Sequence, residues 1–345
     1  MKTYSVAVLP GDGIGPDVTA EAVKALRAAE ARVGGARYRL DEFSVGAGEY
    51  LRSGDPMPEA TFQEISRRDV ILLGAMGLPN IRWASGQEMA PQLDLRERLE
   101  LYCGLRPLKL YHPNDAPLKN PGAIDFAIIR ENTEGLFSSR KDTYAADADR
   151  VIDRMTITRR GAERVIHSAF REAAKRRKRV TLVDKANVLP SMAYFRGIFF
   201  EIAKQYPEIA TDCVYVDAVT LYMVQRPASF DVMVTENMFG DIISDLGAAV
   251  VGGMGMAPSG DIGDKHAVFQ PSHGSAPDIA GKGIANPVAT ILSVAMMFEW
   301  LGEDETARLV YGAVERVLAD PNNRTADLGG SKSTVAMGDL IEAAL

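Results

Sequence analysis

Runs rich in valine and isoleucine at 6–9, 70–73, 126–129, 180–183, 214–216 and 232–235 alternate along this chain with helical patterns at 17–31, 160–178 and 191–205. β-Branched residues fit a pleated, half-buried strand, and regular alternation of such strands with helices commits the chain to an α/β fold. Several strand runs end in reactive groups: Arg130-Glu131-Asn132, Asp184-Lys185-Ala186-Asn187, Asp217 and Thr235-Glu236-Asn237. Open α/β sheets bind ligands beyond the carboxyl ends of their strands. One polar strand end commonly caps a helix; four of them, with both charge signs, point to a site.

At 345 residues and 46% hydrophobic content, the chain can bury a large core and is long enough for two domains. A net charge of −7 argues against nucleic acid or an anionic membrane as the main partner. The one basic run, Lys175-Arg176-Arg177-Lys178-Arg179, closes the helix expected at 160–178, where cations complement the negative end of the dipole; it reads as a solvated helix end. No apolar run reaches the roughly 18 residues a membrane span needs. The start of the chain passes directly into an apolar strand and a glycine-rich turn without the zones of a signal peptide, so a cytoplasmic location is expected. Cys103 and Cys213 lie far apart and form no Cys-x-x-Cys pair, so both are expected to be reduced and structural.

Asp241 and Asp245 are four residues apart and share one face of a helix. Like charges so placed destabilise a helix unless a cation lies between them. Hard carboxylate oxygens suit Mg²⁺ or Mn²⁺, with Asp217 the natural third ligand; the plainer alternative is two acids complementing a helix start. Arg96, Arg106 and Arg130 are of the residue type that grips carboxylates bidentately, although any one arginine taken alone is more often a surface ion pair, as Arg98 is expected to be. The segment 273–287, His-Gly-Ser-Ala-Pro-Asp-Ile-Ala-Gly-Lys-Gly-Ile-Ala-Asn-Pro, suits neither helix nor strand. Its glycines allow close approach of backbone to a ligand, and Asp278 could accept hydrogen bonds from two ribose hydroxyls while repelling a 2′-phosphate. A rigid turn is the alternative.

In order along the chain, Gly11-Asp12-Gly13-Ile14-Gly15-Pro16, Arg130-Glu131-Asn132-Thr133-Glu134-Gly135, Asp184-Lys185-Ala186-Asn187-Val188-Leu189, the Asp241/Asp245 segment, the Asp278 loop and Asp327-Leu328-Gly329-Gly330 together resemble the metal-dependent β-decarboxylating dehydrogenases, the isopropylmalate and isocitrate dehydrogenase family. That resemblance implies a two-domain isopropylmalate dehydrogenase-like fold, not a standard Rossmann fold. Residues 1–99 and 252–345 would form a cofactor-binding domain, and 100–251 an inserted domain carrying the metal site and dimer interface. It implies a 2-hydroxy acid oxidised by NAD⁺ and then decarboxylated. Arg96, Arg106 and Arg130 would hold carboxylates, and Asp217, Asp241 and Asp245 would hold Mg²⁺ or Mn²⁺. Lys185 would act as base, directly or through water, and His273, Gly274, Ser275, Ala276, Asp278 and Asn286 would contact NAD. In this family the lysine and one aspartate come from the neighbouring subunit, so Lys185 and Asp217 imply a homodimer with shared sites.

One position departs from the pattern: the family's tyrosine, thought to protonate the enol carbon, falls at Phe137. Water is the preferred substitute; Tyr144 on an expected hairpin, unaided release of the enol, or impaired decarboxylation are alternatives. Substrate choice in the family depends on the segment before the first arginine, here Gly86 to Leu93. Leu93 and Val188 fit the aliphatic substituent of 3-isopropylmalate. Gln92 is polar and suits tartrate or D-malate, and Ala90 stands where an isocitrate enzyme offers serine. The expectation is 3-isopropylmalate, with a tartrate or D-malate dehydrogenase as the alternative. An inactive regulatory subunit is the reading from another class.

Overall fold

In a computed structural model that describes residues 2–144 and 147–345, the six strand runs become β1 (Lys2–Gly11), β3 (Val70–Ala75), β5 (Asp125–Glu131), β6 (Arg179–Asp184), β7 (Ala210–Tyr215) and β8 (Val232–Thr235). Four further strands, β2 (Ala36–Glu42), β4 (Cys103–Lys109), β9 (Pro258–Ile262) and β10 (Ala267–Pro271), contain no run of β-branched residues and are not legible as strands in the sequence. All ten described strands join one sheet in the order β2-β1-β3-β10-β9-β4-β5-β8-β6-β7. Strands β2, β1, β3 and β10 are mutually parallel, as are β5, β8, β6 and β7. The pairs β10·β9, β9·β4 and β4·β5 are antiparallel. Three reversals separate the two parallel blocks, which therefore run in opposite directions.

Each block has its own helical cover. Helices α1 (Gly15–Val33), α9 (Val288–Trp300), α10 (Asp304–Leu318) and α11 (Thr334–Ala344) enclose Val6, Leu72, Phe269, Ile291, Val310 and Ile341, so both ends of the chain contribute to one core. Buried apolar side chains surround α9 on nearly every face, as its sequence VATILSVAMMFEW requires. In the other block, α5 (Arg159–Ala174) and α6 (Pro190–Ala203) pack Val165, Phe170 and Phe199 against β6 and β8. The opposite face of that block meets α7 (Val216–Gln225) and α8 (Asn237–Val250) through Phe126, Ile128, Met223 and Ile243. Short helices α2 (Ala47–Ser53), α3 (Glu59–Ser66) and α4 (Pro91–Arg98) complete the chain.

Two local expectations change. The helix expected through 178 stops at Ala174, and Lys178 takes φ +58. The basic run is therefore a tight turn into β6, not a helix end. Arg176 pairs with Asp125 and with Asp231 (3.2 Å), Arg177 donates to the carbonyls of Asp125 and Phe230, and Arg179 reaches Asp212 at 2.5 Å. Lys175 is exposed and pairs loosely with Glu172 at 3.9 Å, and Lys178 is exposed without an acidic partner among the described residues. The strand expected at 214–216 ends at Tyr215, and Val216 opens α7, which puts Asp217 in a helical first turn. No described helix is long and apolar enough to cross a membrane, and Cys103 and Cys213 are both free thiols.

The glycine-rich turn after β1 owes its shape to Asp12. Its buried carboxylate accepts the amides of Ala47, Gly48 and Gly77, each at 2.8 Å, joining β1 to the start of α2 and to the segment after β3. Gly46 stands at φ +128, and a Cβ there would lie 2.4 Å from Asp12 Oδ2. Asp12→Ala should lower the unfolding free energy by about 3 kcal/mol, because three largely buried amides lose an ionised acceptor. Urea unfolding of the two proteins, followed by circular dichroism, reads this directly; equal midpoints would refute the role.

Candidate active site

Where β9, β4, β5 and β8 lie side by side, Gly104 on β4 stands opposite Asp261 on β9 and Arg130 on β5, and Arg130 stands opposite Thr235 on β8. Side chains at paired positions share a face, and Arg106, two residues beyond Gly104, shares it too. Helix α8 crosses this face. The stem of Arg130 runs against Gly240, where a Cβ would come within 2.8 Å of it. Gly104 leaves room for the Asn132 amide, which a Cβ there would meet at 2.7 Å.

Arg96 enters from α4 and is buried, and its Nε donates to Asp261 Oδ2 at 2.8 Å. Arg106 donates to Ser244 Oγ at 2.5 Å and lies 3.8 Å from Asp241 and 3.9 Å from Asp245. Its Nε has no protein partner among the described residues. Arg130, 1% exposed, donates from Nε and from one terminal nitrogen to Asn237 Oδ1 at 3.0 and 2.7 Å and pairs with Asp241 through the other. The spacing of Asp241 and Asp245 thus faces the expected cation, and within one chain that cation is arginine. Burial first, then the mutual repulsion of the three guanidiniums, lowers Arg106 and pushes Arg130 down to about 9; Asp241 and Asp261 oppose the shift. Buried cations need buried counter-charge. Asp261 is the buried acid hydrogen-bonded to Arg96; Glu236, buried as well and within electrostatic reach of Arg130, is turned to the amides at the start of α8, and Asp241 and Asp245 are 44% and 63% exposed, so the three arginines present an anion site.

Phe137 lies beside this clamp with Arg130 5.4 Å from its ring centre. With Leu93, Asn132, Thr133 and Asn237 it lines a cavity of about 160 Å³. Gln92 Oε1 is buried without a protein partner among the described residues. Tyr144 is exposed and lies outside regular structure, so the expected hairpin is not found on the described residues there. Arg98 does form the ion pair expected of it, with Glu59 at 2.6 Å.

The segment after β10 is fastened on both sides. Ile14 donates its amide to the Ser275 carbonyl at 2.7 Å, and Gly13 allows this, since a Cβ there would lie 1.9 Å from that oxygen. Asn286 donates to Asp327 at 3.1 Å and accepts from the Val288 amide, also at 3.1 Å. Around these anchors Gly274 and Asp278 are exposed, Ala276 holds φ +37, and the Gly274 carbonyl lies 2.9 Å from His273 Nδ1, from which it can only accept. The His273 Nε2 is buried with no protein partner among the described residues. Gln270, three residues before His273, reaches Asp261 at 2.7 Å, so the loop leaves from a strand that touches the arginine clamp.

Lys185 and Asp217 pair with each other at 2.6 Å, with Asp217 exposed, and Val188 is exposed on the turn after β6. Asp217 does not join Asp241 and Asp245 within the chain: no group of three such side chains suited to a metal ion occurs among the described residues. The reason is topological, because Lys185 and Asp217 follow β6 and β7 at the edge of the sheet, beyond β8 and away from the clamp. Other polar strand ends are structural. Asp184 is bound by two nitrogens of Arg196 at 2.6 and 2.7 Å, Glu236 caps α8 through the amides of Met238 and Phe239, and Glu131 accepts the amides of Thr133 and Glu134. Asp261 and Gln270, which organise the clamp, are on strands without a β-branched run and are not identified from sequence.

The chain matches the family described as isocitrate/isopropylmalate dehydrogenase over residues 5–343. It is 44% identical over 347 residues to a protein named 3-isopropylmalate dehydrogenase from Corynebacterium aurimucosum, with 99% of each chain covered. A protein of the same name from Bifidobacterium longum is 45% identical over 320 residues, covering 91% of this chain and 92% of the relative. Isocitrate dehydrogenase from Methylococcus capsulatus has a similar structure, with a TM-score of 0.90, 37% identity and 99% of each chain covered. A β-decarboxylating dehydrogenase from Thermococcus kodakarensis gives 0.81 at 38% identity, covering 99% of this chain and 96% of the other.

Burial is the largest influence on Glu131 and pushes its carboxyl up to about 7, against the pull of its hydrogen bonds with Thr133 and Glu134. Between pH 4.5 and 7 the folded chain therefore keeps a proton that the unfolded chain has lost, so this group makes stability fall as pH rises through that window and level off above it. Its share is roughly 3 kcal/mol. Glu131→Gln should flatten this part of the pH profile of the urea midpoint; an unaltered slope would exclude the assignment.

Proposed function

The chain belongs to the isocitrate/isopropylmalate dehydrogenase family, and on that premise we propose that it oxidises and decarboxylates 3-isopropylmalate with NAD⁺ and a divalent cation as a cytoplasmic homodimer. The observation that carries the reading is the buried trio Arg96, Arg106 and Arg130, short of buried counter-charge, beside the accessible carboxylates of Asp241 and Asp245. Such a clamp suits a small hydroxy acid with two carboxylates to grip and an oxygen pair to chelate. Leu93 and Gln92, with the partner subunit's Val188, would meet the substituent at C3.

The donor chemistry fits a hard divalent ion. Asp241 and Asp245 offer oxygens from one helix face, and the partner subunit's Asp217 would complete the set for Mg²⁺ or Mn²⁺. The 273–287 segment fits NAD: exposed Asp278 accepts ribose hydroxyls, His273 offers Nε2, which has no partner among the described residues, and Gly274, Ser275, Ala276 and Asn286 shape the backbone around them. When bound, NAD⁺ would take the hydride and the ion would polarise the oxygen at C2 and stabilise the charge left as CO₂ departs. Arg96, Arg106 and Arg130 hold the carboxylates and orient C2. The partner subunit's Lys185 removes the hydroxyl proton, directly or through water. Phe137 has no proton to give; the adjoining cavity of about 160 Å³ has space for a water that protonates the enol carbon.

Two features support the subunit arrangement. Lys185, Asp217 and Val188 lie away from the clamp of their own chain, and α7 and α8 present exposed Leu221, Val224 and Ile242. We read residues 1–99 with 252–345 as the cofactor-binding domain and 100–251 as the inserted domain that dimerises.

Purified protein with Mg²⁺ or Mn²⁺ should form NADH and release CO₂ in equal amounts from 3-isopropylmalate, faster than from D-malate, tartrate, isocitrate or homoisocitrate, and should prefer NAD⁺ to NADP⁺. NADH without CO₂ would mean that loss of the tyrosine uncouples decarboxylation, and no turnover on any of them would favour a regulatory subunit. Shared sites have a separate signature. Lys185→Met and Asp241→Asn should each abolish turnover, yet refolding them together should restore up to about a quarter of wild-type activity, since half the dimers carry one intact site. No recovery would place Lys185 and Asp241 in the same site of one chain.

A further inference from the structure

We infer that Asp261 fixes the number of carboxylates the clamp accepts, holding the site to dicarboxylates and against tricarboxylates. The inference rests on the arginine clamp as the substrate site and names a specificity residue for it. Asp261 is 1% exposed, in the middle of the sheet, and all of its side-chain bonds point into the clamp. Oδ2 accepts Arg96 Nε at 2.8 Å and Gln270 Nε2 at 2.7 Å, and Oδ1 accepts Asn132 Nδ2 at 2.8 Å. Its charge acts on Arg106 and Arg130 as well, raising both against their mutual repulsion.

The other acids near the clamp differ in kind: Glu236 is taken up by the amides of Met238 and Phe239 at the start of α8. Asp241 and Asp245 are accessible from solvent and, in the proposed reaction, are committed to a cation. Asp261 is immobilised by three donors, from α4, β10 and the turn after β5, and has no solvent to turn to. Its carboxylate is a fixed part of the site, so three guanidiniums with one buried carboxylate bonded among them leave a charge of two to be met by substrate. A malate with an apolar substituent supplies that charge with its two carboxylates. A third carboxylate finds no unmatched guanidinium and is repelled by Asp261. Asp261 also orients Arg96: with Nε occupied, the terminal nitrogens of Arg96 are left to bind substrate.

The test is equilibrium binding, by isothermal titration with Mg²⁺ present, of 3-isopropylmalate and isocitrate to wild-type protein and to Asp261→Asn, Asp261→Ser and Gln270→Met, each first checked for folding by circular dichroism. Wild type should bind 3-isopropylmalate more tightly. The two neutral variants should shift the preference toward isocitrate by at least about tenfold, the scale of a desolvated charge contact. Gln270→Met, which removes a tether but no charge, should leave the preference where it was. The inference is overturned if wild type already favours isocitrate, if the neutral variants weaken both ligands equally, or if Gln270→Met reproduces their shift. Two neutral replacements of different size keep one folding failure from deciding the matter, and the wild-type preference stands without any variant. Because binding is read apart from turnover, a protein that binds with this preference yet forms no NADH would end the dehydrogenase reading and leave this one standing.

Discussion

Three guanidiniums buried on one face of a sheet are the constraint around which the rest of this molecule is arranged. An ionised side chain taken out of water needs compensation from charge or hydrogen bonds, and like charges brought together need more. Here the compensation is drawn from distant parts of the chain: Asp261 from β9, Asn237, Asp241 and Ser244 from α8, and the partners that hold Asp261 itself, Gln270 and Asn132. Apart from Gln270 on Asp261, which joins the neighbouring strands β9 and β10, none of these contacts with the arginines and Asp261 is local in sequence. The clamp exists only once the sheet has formed, and what it lacks in buried negative charge it leaves for a ligand.

The sheet makes such a meeting possible by reversing direction at its centre. Its two parallel blocks run oppositely, and the antiparallel strands β9 and β4 lie between them. In that zone Asp261, Gly104 and Arg130 come into line across three strands separated by long stretches of chain. Glycine at 104 and 240 is required because the Asn132 amide and the Arg130 stem occupy the space a Cβ would fill. The same zone carries the least strand-like sequences in the protein, CGLRPLK and PSGDI. Strand propensity was given up where polar side chains and close approach were needed.

Polar residues at strand ends divide into two groups that sequence alone treats alike. Glu131, Glu236 and Asp184 each turn back to satisfy backbone amides or an arginine and hold the loops in place. Arg130 and Asn237, their neighbours, reach the clamp. The difference lies in which face of the sheet each side chain meets. Similarly, the basic run after Ala174 reads as a solvated helix end until β6 begins at Arg179, and the reversal then ties its arginines to Asp125, Asp231 and Asp212.

The sequence by itself determined the α/β class, the strands built from valine and isoleucine, the three arginines, the Asp241/Asp245 face of a helix and the family, because these depend on local propensity, helical spacing and ordered motifs. The tertiary structure decided which charges neutralise which. Asp261 sits in a strand that sequence does not mark, and only sheet pairing brings it to Arg96, 165 residues away. It decided too that Lys185 and Asp217 stand apart from the clamp of their own chain, since their strands lie toward the sheet's edge. Charge compensation in a buried site is a sum over everything within a few ångströms, and no local stretch of sequence contains that sum.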